Sequence, residues 1–215
     1  MHKMKVFACR TLEEEVRTVL PGDVACEFLE YGLHNTPDKL REELQKCIDK
    51  SPDFTTLLLG YGLCSNGVLG LRVPKQTLVI PRVHDCISLL LGSRSQYDKE
   101  FKQYPATYYL SKGWIKQKAD PLSGFYRYCE KYGEADALWI IEEEYKHYQR
   151  LVFIHTVGDS TEEVTYSRKV AKFLNVEFSE AAGSLYYFQG LVRGNWGPEF
   201  LVIPPGENAS LFNFM

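Results

Sequence analysis

The chain has 215 residues, 45% hydrophobic, 13% aromatic and 25% charged, with a formal net charge of −3 and a pI near 6.0. That apolar content is enough to offset the chain entropy of folding, which excludes disorder as the governing state, and the acidic balance with scattered Lys and Arg excludes the basic field that nucleic acid or anionic lipid requires. No stretch approaches the roughly 20 apolar residues of a membrane span, and Met1 to Arg10 lacks the pattern of a secretory signal. The expectation is a cytoplasmic protein with no membrane or nucleic-acid partner. A length of this order suits one α/β domain over residues 1–215, and the six cysteines are expected to be reduced.

In chain order, Lys5 to Cys9 reads as a buried strand, and Thr11 with Glu13 to Glu15 supplies the acidic first turn of a helix running towards Leu20. Ala25 to Glu30 reads as a second strand. Thr36 as a cap and Pro37 at the first helical position then open a helix whose Leu40, Leu44, Cys47 and Ile48 recur at helical spacing, which puts Cys47 on a core-facing side. Phe54 to Leu59 is a continuous apolar run of the kind found in a parallel strand covered on both faces, and it opens into a loop holding Gly60, Gly62 and Gly67. Thr77 to Ile80 predicts a fourth strand, stopped by Pro81, and Ile87 to Leu91 a helix.

Beyond this point strands are predicted near Ala106–Leu110, Leu151–Ile154, Val176–Phe178 and Phe200–Ile203. Helices are predicted near Phe125–Tyr132, Asp136–Gln149, Glu162–Leu174 and Leu185–Val192. The alternation predicts a Rossmann-like α/β fold, a mostly parallel sheet with helices on both faces. Residues 93–135, rich in Tyr and Lys, are the candidate insertion covering the rim at the strand C-termini.

Ligands of such sheets bind beyond the carboxyl ends of the strands. Cys9 ends the first strand, Cys64 lies in the loop after the third, and His84 and Cys86 follow the fourth, so all four are expected on one rim. Thiolate and imidazole are the ligands that zinc prefers: three Cys and one His close a tetrahedral shell, whereas two Cys and one His leave a position open for chemistry. Three cysteines also suit an iron–sulfur cluster with one open iron, and Cys64 alone, in a Gly-rich loop whose N–H groups lower a thiol pKa, suits a metal-free nucleophile. Asp85 is placed either to orient an imidazole or to cap the following helix. Arg82 is placed to hold an anionic group, and Tyr61, Asn66 and Ser93 complete the candidate contacts to a small-molecule substrate. The glycine spacing matches neither GxGxxG nor the P-loop, which argues against a nucleotide. His34, His147 and His155 have no partner legible in the sequence.

Gly60-Tyr-Gly-Leu-Cys-Ser-Asn-Gly67 and Pro81-Arg-Val-His-Asp-Cys86, followed by Leu90-Leu-Gly-Ser93, resemble the prokaryotic family catalogued as domain of unknown function 1638. The likeness extends to Cys9, to Leu33-His-Asn-Thr-Pro37, to Tyr108-Tyr-Leu with Gly113-Trp114, and to Phe200-Leu-Val-Ile-Pro-Pro205. It implies a site at these residues rather than a reaction. Members are similar in context to proteins of anaerobic corrinoid-dependent methyl transfer, which implies a zinc that activates a thiol or receives a methylated substrate, with a corrinoid protein or methyltransferase as partner.

Overall fold

The computed structural model describes residues 3–194 and 196–210. They divide into two units, one drawn from Met1–Arg94 and Ser184–Met215, the other from Ser95–Gly183.

In the first unit β1 (Met4–Cys9) lies between β2 (Ala25–Leu29) and β3 (Thr56–Gly60), with β4 (Thr77–Pro81) beyond β3 and β8 (Phe200–Ile203) at the far edge, in the order β2-β1-β3-β4-β8. The first four are parallel and β8 runs antiparallel to β4, pairing Pro81 with Phe200 and Leu78 with Ile203. Every residue of β3 is buried, as the unbroken apolar run predicts for a strand covered on both faces.

The register assigns the two faces. Lys5, Phe7 and Cys9 alternate with Val6 and Ala8, and the pairings put Glu27, Leu29 and Leu59 on the Phe7 face and Cys26 and Phe28 on the Ala8 face. Helix α2 (Pro37–Asp49) covers the first face, burying Leu40, Leu44 and Ile48, and its Cys47 Sγ lies 3.5 Å from Glu27 Oε1. Helix α1 (Glu13–Val19) covers the second, where the Arg17 guanidinium stacks 5.0 Å over the Phe28 ring and α9 (Tyr186–Arg193) packs beside it. Cys47, expected in the core, is half-buried because it sits where α2 meets the open edge of β2. Thr36 makes no capping hydrogen bond, so Pro37 alone marks the start of α2.

The second unit has its own sheet, β5 (Thr107–Ser111), β6 (Arg150–His155) and β7 (Glu177–Ala182), parallel and in chain order. Between β5 and β6 run α5 (Lys112–Lys116), α6 (Pro121–Tyr132) and α7 (Glu134–Tyr145), and α8 (Thr161–Leu174) returns the chain to β7. Leu110, Leu151, Phe153, Val170 and Ala171 form its buried core, with Trp114 and Phe178 packed against it. The remaining helices are α3 (Cys86–Leu91) and α4 (Arg94–Gln103). The fold is thus α/β with mostly parallel strands, and the predicted parallel strands are shared between two sheets. Among the described residues no helix is long and apolar enough to cross a membrane.

Candidate functional site

Three chain segments converge at the C-terminal ends of β1, β3 and β4. The first ends in Cys9, buried at the last position of β1, where the chain turns into a single 3₁₀ turn, Arg10–Leu12. Thr11 Oγ1 donates to Cys9 Sγ at 3.2 Å. Burial pushes this thiol up, and the Thr11 hydrogen bonds and the Arg10 charge oppose the shift only in part.

The second segment leaves β3 through Gly60, Tyr61 and Gly62. A Cβ on Gly60 would lie 2.8 Å from Ala8 Cβ, and one on Gly62 would lie 2.7 Å from the Val83 carbonyl oxygen and 2.9 Å from the Asp85 nitrogen. Only glycine admits this approach. It allows Leu63 N to donate to Val83 O and Cys64 N to donate to His84 O, both at 2.9 Å, so the loop zips onto the segment that follows β4. Cys64, Ser65 and Asn66 then turn with φ of 44°, 56° and 69°, three consecutive non-glycine residues in the left-handed region, closed by Gly67 N donating to Cys64 O at 3.0 Å. Each such residue costs roughly 1–2 kcal/mol, a local strain that the surrounding packing must hold in place.

The third segment is Pro81 to Cys86. Asp85 caps α3, its Oδ1 accepting from Ser88 N at 3.1 Å and from Ser88 Oγ at 3.3 Å, which is the second of the two roles foreseen for it. Cys86 opens the helix: the residue keeps some exposure while its sulfur is enclosed.

Cys9 acts electrostatically on Cys64, and both act on Cys86. Burial pushes Cys64 up to about 12, with the charges of Asp85 and Cys9 adding to the shift and a hydrogen bond from the Gly62 backbone opposing it. Burial also raises Cys86 well above its ordinary value, followed by Asp85, Cys64 and Cys9. The expectation that the Gly-rich loop lowers the Cys64 pKa is therefore corrected: one N–H acts in that direction and desolvation outweighs it. Beside them Tyr61 is 4% exposed and its hydroxyl has no hydrogen-bond partner. Burial raises its pKa well above 10.0, and the thiols of Cys9, Cys64, Cys47 and Cys86 add to the effect.

Other predicted residues stand apart from this group. His84 is exposed and contributes its carbonyl, not its ring, to the zipped segment. Asn66 is exposed, its carbonyl accepting from Leu69 N, and Ser93 is half-buried past the end of α3. Arg82 donates its backbone N–H to Glu199 O at 2.8 Å, while its buried Nε has no partner. Among the described residues, no group of three or more His, Cys, Asp or Glu side chains is placed to hold a metal ion. Three thiols are nevertheless the donor chemistry that zinc prefers, so donor type fits a metal and the present side-chain placement is not a ready cage.

The sequence reading passed over His34. It lies in a 3₁₀ turn, Leu33–Asn35, close enough to Asp85 that the carboxylate supports its charge against the larger, opposing effect of burial, which lowers its pKa. Its place in Leu33-His-Asn-Thr-Pro37, just ahead of α2, is the signal that could have found it. A cleft of about 570 Å³ runs alongside, between the C-terminal end of β2 and α2, lined by Leu29, Tyr31, Leu33, Thr36, Lys39 and Cys47 among others.

Fold and site together define an α/β protein with Cys9, Cys64 and Cys86 at the strand C-termini of its first unit. A family model described as "Protein of unknown function (DUF1638)" matches residues 28–192, more than half of the chain, and the chain belongs to that family. No curated protein and no solved structure matches it.

Proposed function

We propose that the protein binds one thiophilic metal ion, zinc before iron, through Cys9, Cys64 and Cys86. What supports this reading is that Cys9, Cys64 and Cys86 end or follow β1, β3 and β4, adjacent parallel strands of one sheet, with Cys64 and Cys86 within reach of the other thiols' charges. Ligands of open α/β sheets bind at that end. Gly62, which cannot carry a side chain, and the Cys64 N to His84 O hydrogen bond hold two of the three segments together.

A thiol held at about 12 is protonated at neutral pH and is a poor nucleophile unaided, which argues against Cys64 as a metal-free catalyst. A bound zinc would supply the missing activation, because coordination deprotonates a thiol and a position left open accepts a substrate thiol or water. Cys9, Cys64 and Cys86 would hold the ion, and Asp85 would fix the entry of Cys86 into α3. His84, exposed, is left out of the ligand set. The cleft between β2 and α2 would admit a small molecule. Methyl transfer, with a corrinoid protein or methyltransferase as partner in a cytoplasmic one-carbon pathway, is the reaction class that the family likeness implies for such a centre.

The test is elemental analysis of anaerobically purified protein, native and as Cys9→Ser, Cys64→Ser and Cys86→Ser variants. About one equivalent of zinc in the native chain, lost in all three variants, is the expected result; iron in its place would favour a cluster. Native protein that holds no metal and takes none up on reconstitution refutes the reading.

A further inference from the structure

Helices α6 and α7 of the second unit form a hairpin that turns at Gly133. They lie alongside each other: a Cβ at Gly124 would stand 3.6 Å from Ile141 Cδ1, and the Tyr128 hydroxyl donates to Glu144 Oε1 at 2.8 Å. The outer surface of this hairpin is unusual in two respects. Trp139, 64% exposed, and Tyr126, 59% exposed, are the most exposed large apolar side chains among the described residues. Trp, Tyr and Arg are also the side chains that most often anchor protein interfaces, and Arg127 follows Tyr126 in the chain.

The second respect is that charge is sorted by helix. Arg127 and Lys131, one turn apart, run along an exposed ridge of α6, while Asp136, Trp139 and Glu143 run along an exposed ridge of α7, which holds no Lys or Arg at all. Arg127 spends one N–H on the Lys118 carbonyl and Lys131 lies over the Tyr132 ring, but among the described residues neither of them, nor Asp136, makes an ion pair; Glu143 pairs with Lys146. A copy of this face laid on itself with α7 against α7 would oppose carboxylate to carboxylate. Laid with α6 of each copy against α7 of the other, by a two-fold axis along the hairpin, it is complementary. Counted from Gly133, Lys131 is then level with Asp136 of the second copy, Arg127 falls between its Asp136 and Glu143, and Tyr126 is level with its Trp139.

We propose that the α6–α7 hairpin docks a second copy of this chain, the two hairpins forming a four-helix bundle in which the basic ridge of each α6 faces the acidic ridge of the other α7. The proposal is independent of the metal reading. Each helix has 12 residues and is therefore about 18 Å long, and two abreast are about 20 Å wide. Such an area lies at the low end of specific interfaces, so the dimer forms and dissociates with concentration.

The experiment is sedimentation velocity on the full chain over about 1–200 µM, a range that covers interfaces of this size. It compares native protein, Trp139→Ala, Arg127→Glu, Glu143→Arg, and an equal mixture of the last two. The native chain is expected to pass from monomer to dimer, and Trp139→Ala to need about tenfold more protein or higher. Arg127→Glu and Glu143→Arg are each expected to stay monomeric, because α6 and α7 then meet with like charge. Their mixture is expected to regain the dimer, because both contacts of the mixed pair are again opposite in sign. All three positions are exposed, so melting midpoints within about 2 °C of native rule out misfolding as the cause. A native chain that stays monomeric throughout overturns the proposal, as does a dimer that survives both charge reversals or a mixture that fails to restore it.

Discussion

Gly62→Ala tests the claim that the site is assembled by backbone contact. The added Cβ would stand 2.7 Å from Val83 O, 2.9 Å from Asp85 N and 3.0 Å from Val83 Cγ2. Two of these three neighbours are backbone atoms of the segment that carries Cys86, so neither rotates away. The loop must move off that segment, and the hydrogen bonds from Leu63 N and Cys64 N to Val83 O and His84 O, both 2.9 Å, lengthen with it. Overpacking of a buried site costs about 1–3 kcal/mol, and contact with backbone on two sides places Gly62→Ala near the upper end, about 3 kcal/mol. In a chain of this size that lowers the melting midpoint by about 6–12 °C. Circular dichroism melts measure it, with Gly22→Ala as the control, since nothing lies within 4 Å of a Cβ at Gly22 and its φ is ordinary. That control should be neutral or stabilising by a few tenths of a kcal/mol. A Gly62→Ala protein within about 0.5 kcal/mol of the native chain would refute the argument that glycine is needed for the two segments to meet.

Metal-free native protein treated with iodoacetamide at pH 8 should leave Cys64 and Cys86 largely unmodified, because burial holds both thiols protonated and the thiolate of Cys64 forms only as pH approaches about 12. Peptide mass spectrometry reads the extent at each cysteine, and alkylation of Cys64 as fast as in the unfolded chain would contradict the shift. Asp85→Asn removes the charge that supports protonated His34 while burial continues to lower its pKa, so an NMR titration should find His34 titrating lower than in the native protein; an unchanged midpoint would show that the two do not interact.

Strands were the most legible part of the sequence, and for a physical reason. Thr56 to Gly60 is buried throughout, so its composition is constrained at every position, and the unbroken apolar run appears in the sequence as it does in the sheet. Gly60 and Gly62 were legible as a loop but not as a close approach, because the residues they touch, Ala8, Val83 and Asp85, are distant in sequence. The division of the strands between two sheets was illegible for a similar reason: β5 and β6 are short strands with buried residues as β1, β3 and β4 are, and nothing local says which neighbours they choose. His84 was placed with the cysteines because it follows the fourth strand, on the same rim of the sheet as Cys9 and Cys64. In the structure His84 gives its carbonyl to Cys64 N and the residue is exposed. His34 was passed over because its partner, Asp85, lies on another segment.

The same burial that makes the three thiols unreactive gives them their potential as ligands. In water a thiol gives up its proton near its ordinary value, and a metal competes against solvent for each thiolate. Buried beside Gly62, the Cys64 and Cys86 thiolates are strongly disfavoured, and the carboxylate of Asp85 disfavours them further. A proton on each sulfur keeps the site neutral, and under the proposed metal reading each thiolate formed would release one.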